Sequence, residues 1–149
     1  MTRDVLLAMK GMQFQLNENT GENENIEIIT AAQYFEKGDH AYLLYDEIME
    51  GVDTPISNMI RFDNDSIEVT KKGGINVHMV FEKGKQNLTN YATPYGTLVI
   101  GISTRNVEID KNEEHIHLQA DYGLDINYEF LANCQISMDI SSKDSLHLS

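Results

Sequence analysis

The fold is decided by one short stretch, NYATPYGTLVIGI, which covers residues Asn90–Ile102. It places proline at the second position of a turn and glycine at the fourth, which suits a type I turn between two antiparallel strands. We expect Thr93 to close this loop against Thr97. The resulting register predicts that Ala92 faces Leu98 across the ladder of a β-hairpin.

Apolar and polar residues alternate along most of the chain, and the alternation changes phase twice. It runs on odd positions up to Met9 and on even positions after Gly11. It changes again between Ile102 and Val107. One extra residue in a strand causes such a change while the strand stays on its core, so we expect β-bulges at Gly11 and near Thr104–Arg105. Strands bent in this way are typical of barrels.

Residues His40–Glu50 fit two structures. Their apolar side chains have helical spacing at Ala41, Leu44, Tyr45, Ile48 and Met49. The run Tyr42–Tyr45 also fits a strand that is buried on both faces. We predict a strand, because a closed sheet needs a partner at this point.

The last predicted strand has the clearest pattern. From Phe130 to Ile140 every second residue is apolar, which predicts that Phe130 and Cys134 face the core as buried side chains. Residues Asn17–Asn25 contain no apolar side chain and are expected to form the longest loop. Residues 143–149 are expected to be a frayed tail.

About ten such segments, separated by turn residues, predict an all-β protein built as a single antiparallel up-and-down β-barrel. With 149 residues the chain is expected to form one domain, 1–149. Its net charge of −13 argues against nucleic acid or an anionic membrane as a partner, since both are bound by clustered Lys and Arg. A single cysteine, and no apolar run of signal-peptide or membrane-spanning length, predict a cytoplasmic location.

Three blocks of sequence resemble those of a known family. They are YLLYDE at Tyr42–Glu47, MVFEKG at Met79–Gly84 and YATPYGTL at Tyr91–Leu98, and TPYG is the most specific part. From about the first strand to Ile140 the chain resembles the YwiB-like, DUF1934 family of small bacterial proteins. The resemblance implies a lipocalin-like (calycin) β-barrel and a strand from Tyr42 onward, and it implies no reaction. The family pattern has Arg-x-Gly before the second block, where this chain has KKG at Lys71–Gly73.

No catalytic set stands out in the sequence, and no cofactor is expected. Side chains that could offer hydroxyls at a barrel mouth or bind an anion are Tyr45, Arg61, Tyr91, Tyr95, Arg105 and Tyr122. Cross-strand packing of the tyrosines and outward-pointing arginines are the structural alternatives. His115 and His117 share one face of a strand at a spacing that can bind a transition metal. Because no third ligand can be assigned, no metal site is predicted.

The function favoured by these observations is non-catalytic binding of a small, partly apolar ligand inside the barrel. The alternative is a structural or interaction protein that acts through an outer sheet face or as a homodimer. This alternative is suggested by apolar residues on the strand faces that point away from the predicted core, namely Tyr42, Leu44, Val80 and Val99. An enzyme is not predicted, because adjacent acids such as Asp46 and Glu47 point to opposite faces of a strand and are not preset for acid–base chemistry.

Overall fold

The computed structural model describes residues 3–11, 27–48, 53–73, 76–93 and 95–142. These residues form ten β-strands: β1 (Arg3–Lys10), β2 (Glu27–Lys37), β3 (His40–Glu47), β4 (Ile56–Phe62), β5 (Ser66–Lys72), β6 (Val77–Glu82), β7 (Gln86–Thr93), β8 (Gly96–Lys111), β9 (His115–Ile126) and β10 (Glu129–Ser142). No helix in the described part of the chain is long and apolar enough to cross a membrane.

All ten strands belong to one antiparallel sheet, in the order β6-β5-β4-β3-β2-β1-β10-β9-β8-β7. The first and last strands pair, with Leu7 opposite Ile140. The two ends of the sheet, β6 and β7, meet at their shared turn, where Thr104 of β8 accepts from the Gly84 amide and donates to the Lys85 carbonyl. The sheet is therefore a nearly closed barrel, and the predicted all-β, ten-stranded up-and-down architecture is confirmed.

Alternate side chains from the strands fill the barrel interior. Of the residues that the structure describes, 26 apolar ones have exposed fractions of 8% or less, and 25 of these form one continuous cluster. The Phe81 and Tyr122 rings meet edge-to-face, with centroids 4.9 Å apart, and so join β6 to β9 across the interior. Burial of this much apolar surface is the main stabilising contribution to a sheet whose outer face meets solvent.

The segment that fitted either a helix or a strand forms β3 from His40 to Glu47. It pairs with β2 on one side and β4 on the other. Ala41, Leu43 and Tyr45 are buried on the inner face. The strand prediction is therefore confirmed up to Glu47, and residues 49–50 lie outside the described residues.

The predicted register of the β7–β8 hairpin was wrong by one residue. Leu98 lies opposite Tyr91 instead of Ala92, and Thr93 lies opposite Gly96. The strands are thus joined by two residues. Gly96 has a φ of +131°, a backbone conformation that glycine adopts without the strain a side chain would cause. Pro94 lies outside the described residues.

Two bulges shift the strand registers. One lies at Arg105, between Thr104 and Asn106, and confirms the prediction for β8. The other lies between Phe130 and Ala132 of β10, where the alternation pattern did not indicate one. Because of this second bulge, Phe130 does not face the core as predicted but is 64% exposed. Cys134 lies beyond the bulge and packs against the core as predicted, although it is only half-buried.

Gly11, where the first bulge was expected, has a φ of +85° and directly follows β1. A Cβ atom at this position would lie 2.1 Å from the Gln135 carbonyl oxygen of β10. Only glycine fits such a close backbone approach. Residues 12–26, which include the predicted loop Asn17–Asn25, and the predicted tail 143–149 lie outside the described residues.

Gly11→Ala is expected to lower the free energy of unfolding by more than about 2 kcal/mol, because the backbone at residue 11 and the Gln135 carbonyl of β10 must move apart to make room for the added Cβ atom. The matched control is Gly38→Ala. Gly38 has a φ of +63°, but no atom lies within 4 Å of the point that an alanine Cβ would occupy, so only the conformational strain of about 1 kcal/mol is expected. Urea unfolding of both variants measures the difference, and equal losses would contradict the close-approach argument.

Candidate functional site

The six residues suggested by the sequence do not converge on one site. Tyr95 is fully exposed at the β7–β8 connection, and Tyr91 is half-buried against the core. Arg61 lies on the outer face and forms an ion pair with Glu68, which also bonds His78. These three residues therefore do not share a binding surface with the other three candidates, Tyr45, Arg105 and Tyr122.

Arg105 also lies outside the barrel, at the β8 bulge, where its Nη1 donates to Asn133 Oδ1 at 2.6 Å. Tyr122 and Tyr45 are buried on the inner face, with exposed fractions of 5% and 6%. Burial raises the pKa of Tyr122, and interaction of its hydroxyl with the Cys134 side chain, which includes a hydrogen bond, adds to this. Tyr122 is therefore a satisfied core residue, and Tyr45 is left as the candidate of interest.

His115 and His117 lie on the outer face of β9 and share one carboxylate. Asp139 Oδ1 is 3.1 Å from His115 Nε2 and 2.8 Å from His117 Nδ1. The hydrogen bond with Asp139 raises the pKa of His117. No three His, Cys, Asp or Glu side chains are arranged to hold a metal ion anywhere in the described ranges.

A group of four side chains, which we call the polar cluster, lies at the end of the barrel where β3 and β5 finish. It consists of Tyr45, Glu47, Asn58 and Lys71. Tyr45 lies opposite Asn58, which lies opposite Lys71, so one row crosses three strands on the inner face. Glu47 Oε1 accepts from Lys71 Nζ at 2.9 Å and from Asn58 Nδ2 at 3.4 Å. The Lys71 side chain is only 12% exposed.

Two buried atoms of the polar cluster have no hydrogen-bond partner among the described residues, the Tyr45 hydroxyl and Asn58 Oδ1. Burial raises the pKa of Tyr45, and the nearby Glu47 charge adds to this, so the hydroxyl is neutral at physiological pH. Leaving a buried polar atom unpaired costs about 1–3 kcal/mol. Most such atoms in native proteins are paired, which makes this pair an exception that needs an explanation.

The opposite end of the barrel carries a comparable set of side chains, which we call the Glu36 bridge. Tyr34 donates to Glu36 Oε1 at 2.6 Å, and Lys111 Nζ bonds the same oxygen. Glu36 belongs to β2 and Lys111 to β8, so the bridge crosses the barrel over three intervening strands. In the Glu36 bridge, the Tyr34 hydroxyl, the Glu36 carboxylate and the Lys111 ammonium group all take part in hydrogen bonds.

Sequence reasoning found Tyr45 but missed Glu47, Asn58 and Lys71. A signal was available for Asn58, because it occupies an inward position between Ile56 and Ile60 in the alternation of β4. A polar residue at such a position is either paired or functional. The contact between Lys71 and Glu47 could not be predicted, since it depends on the register between three strands.

The DUF1934 family model, described as a domain of unknown function, matches residues 9–138. The chain belongs to this family. Among its relatives is the uncharacterized β-barrel protein YwiB of Bacillus subtilis (strain 168), which is 24% identical over 112 residues, or 75% of this chain and 78% of that protein. The crystal structure of ywiB protein from Bacillus subtilis matches with a TM-score of 0.74 and 19% identity, over 95% of this chain and 92% of that chain. These findings confirm the predicted family and the β-barrel fold.

The Glu36 bridge of this DUF1934 protein is expected to make its stability depend on pH. The hydrogen bond from Lys111, followed by that from Tyr34, lowers the pKa of Glu36. An unfolded glutamate titrates at about pH 4.3. The stabilisation is therefore present above that pH and is lost as the pH falls through the lower folded pKa.

We expect Glu36→Gln to remove part of the fall in Tm that the wild-type protein shows between pH 7 and about pH 3. The control is Glu129→Gln, which changes an exposed carboxylate at the start of β10. Thermal unfolding followed by circular dichroism measures the effect. The same pH dependence in both variants would contradict a stabilising role for the bridge.

Proposed function

We propose that this protein is a non-catalytic binding protein whose polar cluster takes the polar group of a small, partly apolar ligand. The observation that carries the proposal is the pair of unsatisfied atoms, Tyr45 Oη and Asn58 Oδ1. Among the described residues, Thr104 is the only buried polar residue besides Asn58. Ligand sites typically combine an apolar lining with a few polar groups that point to one place. A ligand that bonded both atoms would offset their desolvation cost.

The chemistry of the two atoms indicates which ligand group fits. The neutral Tyr45 hydroxyl can donate, whereas Asn58 Oδ1 can only accept. A group that both accepts and donates, such as an alcohol or a carboxamide, satisfies the pair. The ligand group is neutral in this proposal, because Glu47 and Lys71 already compensate each other at 2.9 Å.

The surroundings of the polar cluster favour an apolar body for the ligand. Leu43 and Ile60 are completely buried next to Tyr45 and Asn58 on the inner faces of β3 and β4. Further into the barrel, side chains such as Phe81 and Tyr122 occupy the interior. The proposal therefore places the ligand at the end of the barrel that carries the polar cluster, not along its whole length.

The proposal includes no reaction, for a reason that lies in the polar cluster itself. Its carboxylate, Glu47, accepts hydrogen bonds from Lys71 and Asn58. A general base must instead be free to reach a substrate proton at hydrogen-bond distance. Holding and orienting a polar group is the activity that this arrangement supports best.

The test compares Tyr45→Phe with Tyr122→Phe, using octanamide and 1-octanol as probes in isothermal titration calorimetry. Tyr45→Phe removes an unpaired hydroxyl, so we expect the free variant to be at least as stable as the wild type, with binding weakened about tenfold. Tyr122→Phe removes a hydroxyl that is bonded to Cys134, so its Tm is expected to fall while binding is kept.

Either of two results would overturn the proposal. One is that the wild-type protein binds neither probe in the millimolar range. The other is that Tyr45→Phe and Tyr122→Phe weaken binding equally, which would mean that the unpaired hydroxyl has no special role. The Tm of each free variant shows independently whether the Tyr45 hydroxyl is unsatisfied.

A further inference from the structure

Strand β7 forms one end of the sheet, and within the part of the chain that the structure describes it pairs along one side only, with β8. On its other side lies β6, and no ladder joins the two within the described residues. The links that do occur lie close to the turn: the backbone bonds of Gly84 and Lys85 to Thr104, and the bond from Asn87 Nδ2 to the Val80 carbonyl. Most of β7 is therefore a free strand edge.

The register shows which backbone groups face this free edge. Thr93 and Gly96 flank a two-residue connection and form a hydrogen-bonded pair, and such pairs alternate along an antiparallel ladder. Val99, opposite Asn90, bonds Asn127 on the β9 side through both its amide and its carbonyl. The alternation therefore directs the backbone N–H and C=O groups of Leu88 and Asn90 away from β8.

The free edge lacks the features that usually prevent edge-to-edge association. Exposed edge strands are commonly protected by charged residues, proline or a bulge. The sequence of β7, QNLTNYAT, contains no charged residue and no proline, and its ladder with β8 is regular over all eight positions. Leu88 on this strand is 56% exposed. An unprotected edge of this length is a surface that can pair with another strand.

The charge distribution indicates a second copy of this chain as the partner. Two copies with a net charge of −13 repel each other over most of their surfaces. The segment 83–105, which contains β7, is the exception, because it has three basic residues, Lys83, Lys85 and Arg105, and no Asp or Glu. Two copies can approach through this segment without bringing acidic groups together.

We propose that the protein forms a homodimer in which β7 of each copy pairs antiparallel with β7 of the other about a two-fold axis. Leu88 and Asn90 supply the inter-subunit backbone hydrogen bonds, and the two sheets become continuous. The antiparallel arrangement places the Lys83–Lys85 turn of one copy near the uncharged Tyr95 end of the other. Like charges therefore do not face each other across the junction.

The experiment is sedimentation equilibrium at concentrations up to about 100 μM, where a dimer with a micromolar dissociation constant is populated. Asn90→Pro removes an outward N–H without disturbing the β8 ladder and is expected to weaken the dimer at least about tenfold. Its control, Asn90→Ala, keeps that N–H and should remain dimeric. Leu88→Lys places a charge at the junction and should also dissociate the dimer, whereas Leu44→Lys on β3, which is paired on both sides, should not.

Backbone hydrogen exchange supplies a readout that needs no variant and so covers the case in which Asn90→Pro fails to fold. The Leu88 and Asn90 amides are expected to exchange more slowly as the protein concentration rises. A wild-type protein that stays monomeric at about 100 μM overturns the proposal. So does a dimer that neither Asn90→Pro nor Leu88→Lys weakens, or one in which exchange of these two amides does not depend on concentration.

Discussion

The structure depends on one constraint: every strand must keep the same face toward a single apolar interior while the sheet curves around it. Leu7, Leu43, Ile60 and Leu118, from four different strands, are all completely buried. A flat sheet cannot meet this constraint, so the chain departs from regular geometry at a few positions. The Arg105 bulge lets the sixteen residues of β8 bend while Ile102 and Val107, on either side, both pack against the core.

The two ends of the barrel deal differently with the inner-face positions that the apolar core does not fill. At one end Tyr34, Glu36 and Lys111 bond one another across the barrel. At the other end Glu47 and Lys71 are paired, but the Tyr45 hydroxyl and Asn58 Oδ1 are not. The polar groups at one end thus bond one another, whereas the other end keeps unused hydrogen-bonding capacity. Functional sites are often found where a protein tolerates such a local cost.

The fold was largely predictable from the sequence because period-two alternation reports directly which face of a strand is buried. The β8 bulge was predictable for the same reason, since it appears as a change of phase. The bulge between Phe130 and Ala132 was not predictable, because apolar residues alternate from Phe130 to Ile140 without a change of phase. Leu131, the residue at this bulge, is exposed. The polar cluster was predictable only at Tyr45, since its other contacts depend on the pairing of β3, β4 and β5.

The pairing of β1 with β10 has a consequence for how the barrel is made. Leu7 can meet Ile140 only once β10, the last of the ten strands, has been synthesised. Until then β1 has only its neighbour β2 to pair with, and the opposite edge is exposed to other nascent chains. Contacts of such long sequence separation fold slowly, on the order of milliseconds to seconds for β-proteins of high contact order. Chaperones that shield unpaired strands during synthesis should therefore affect the yield of this protein more than that of a helical bundle of equal length.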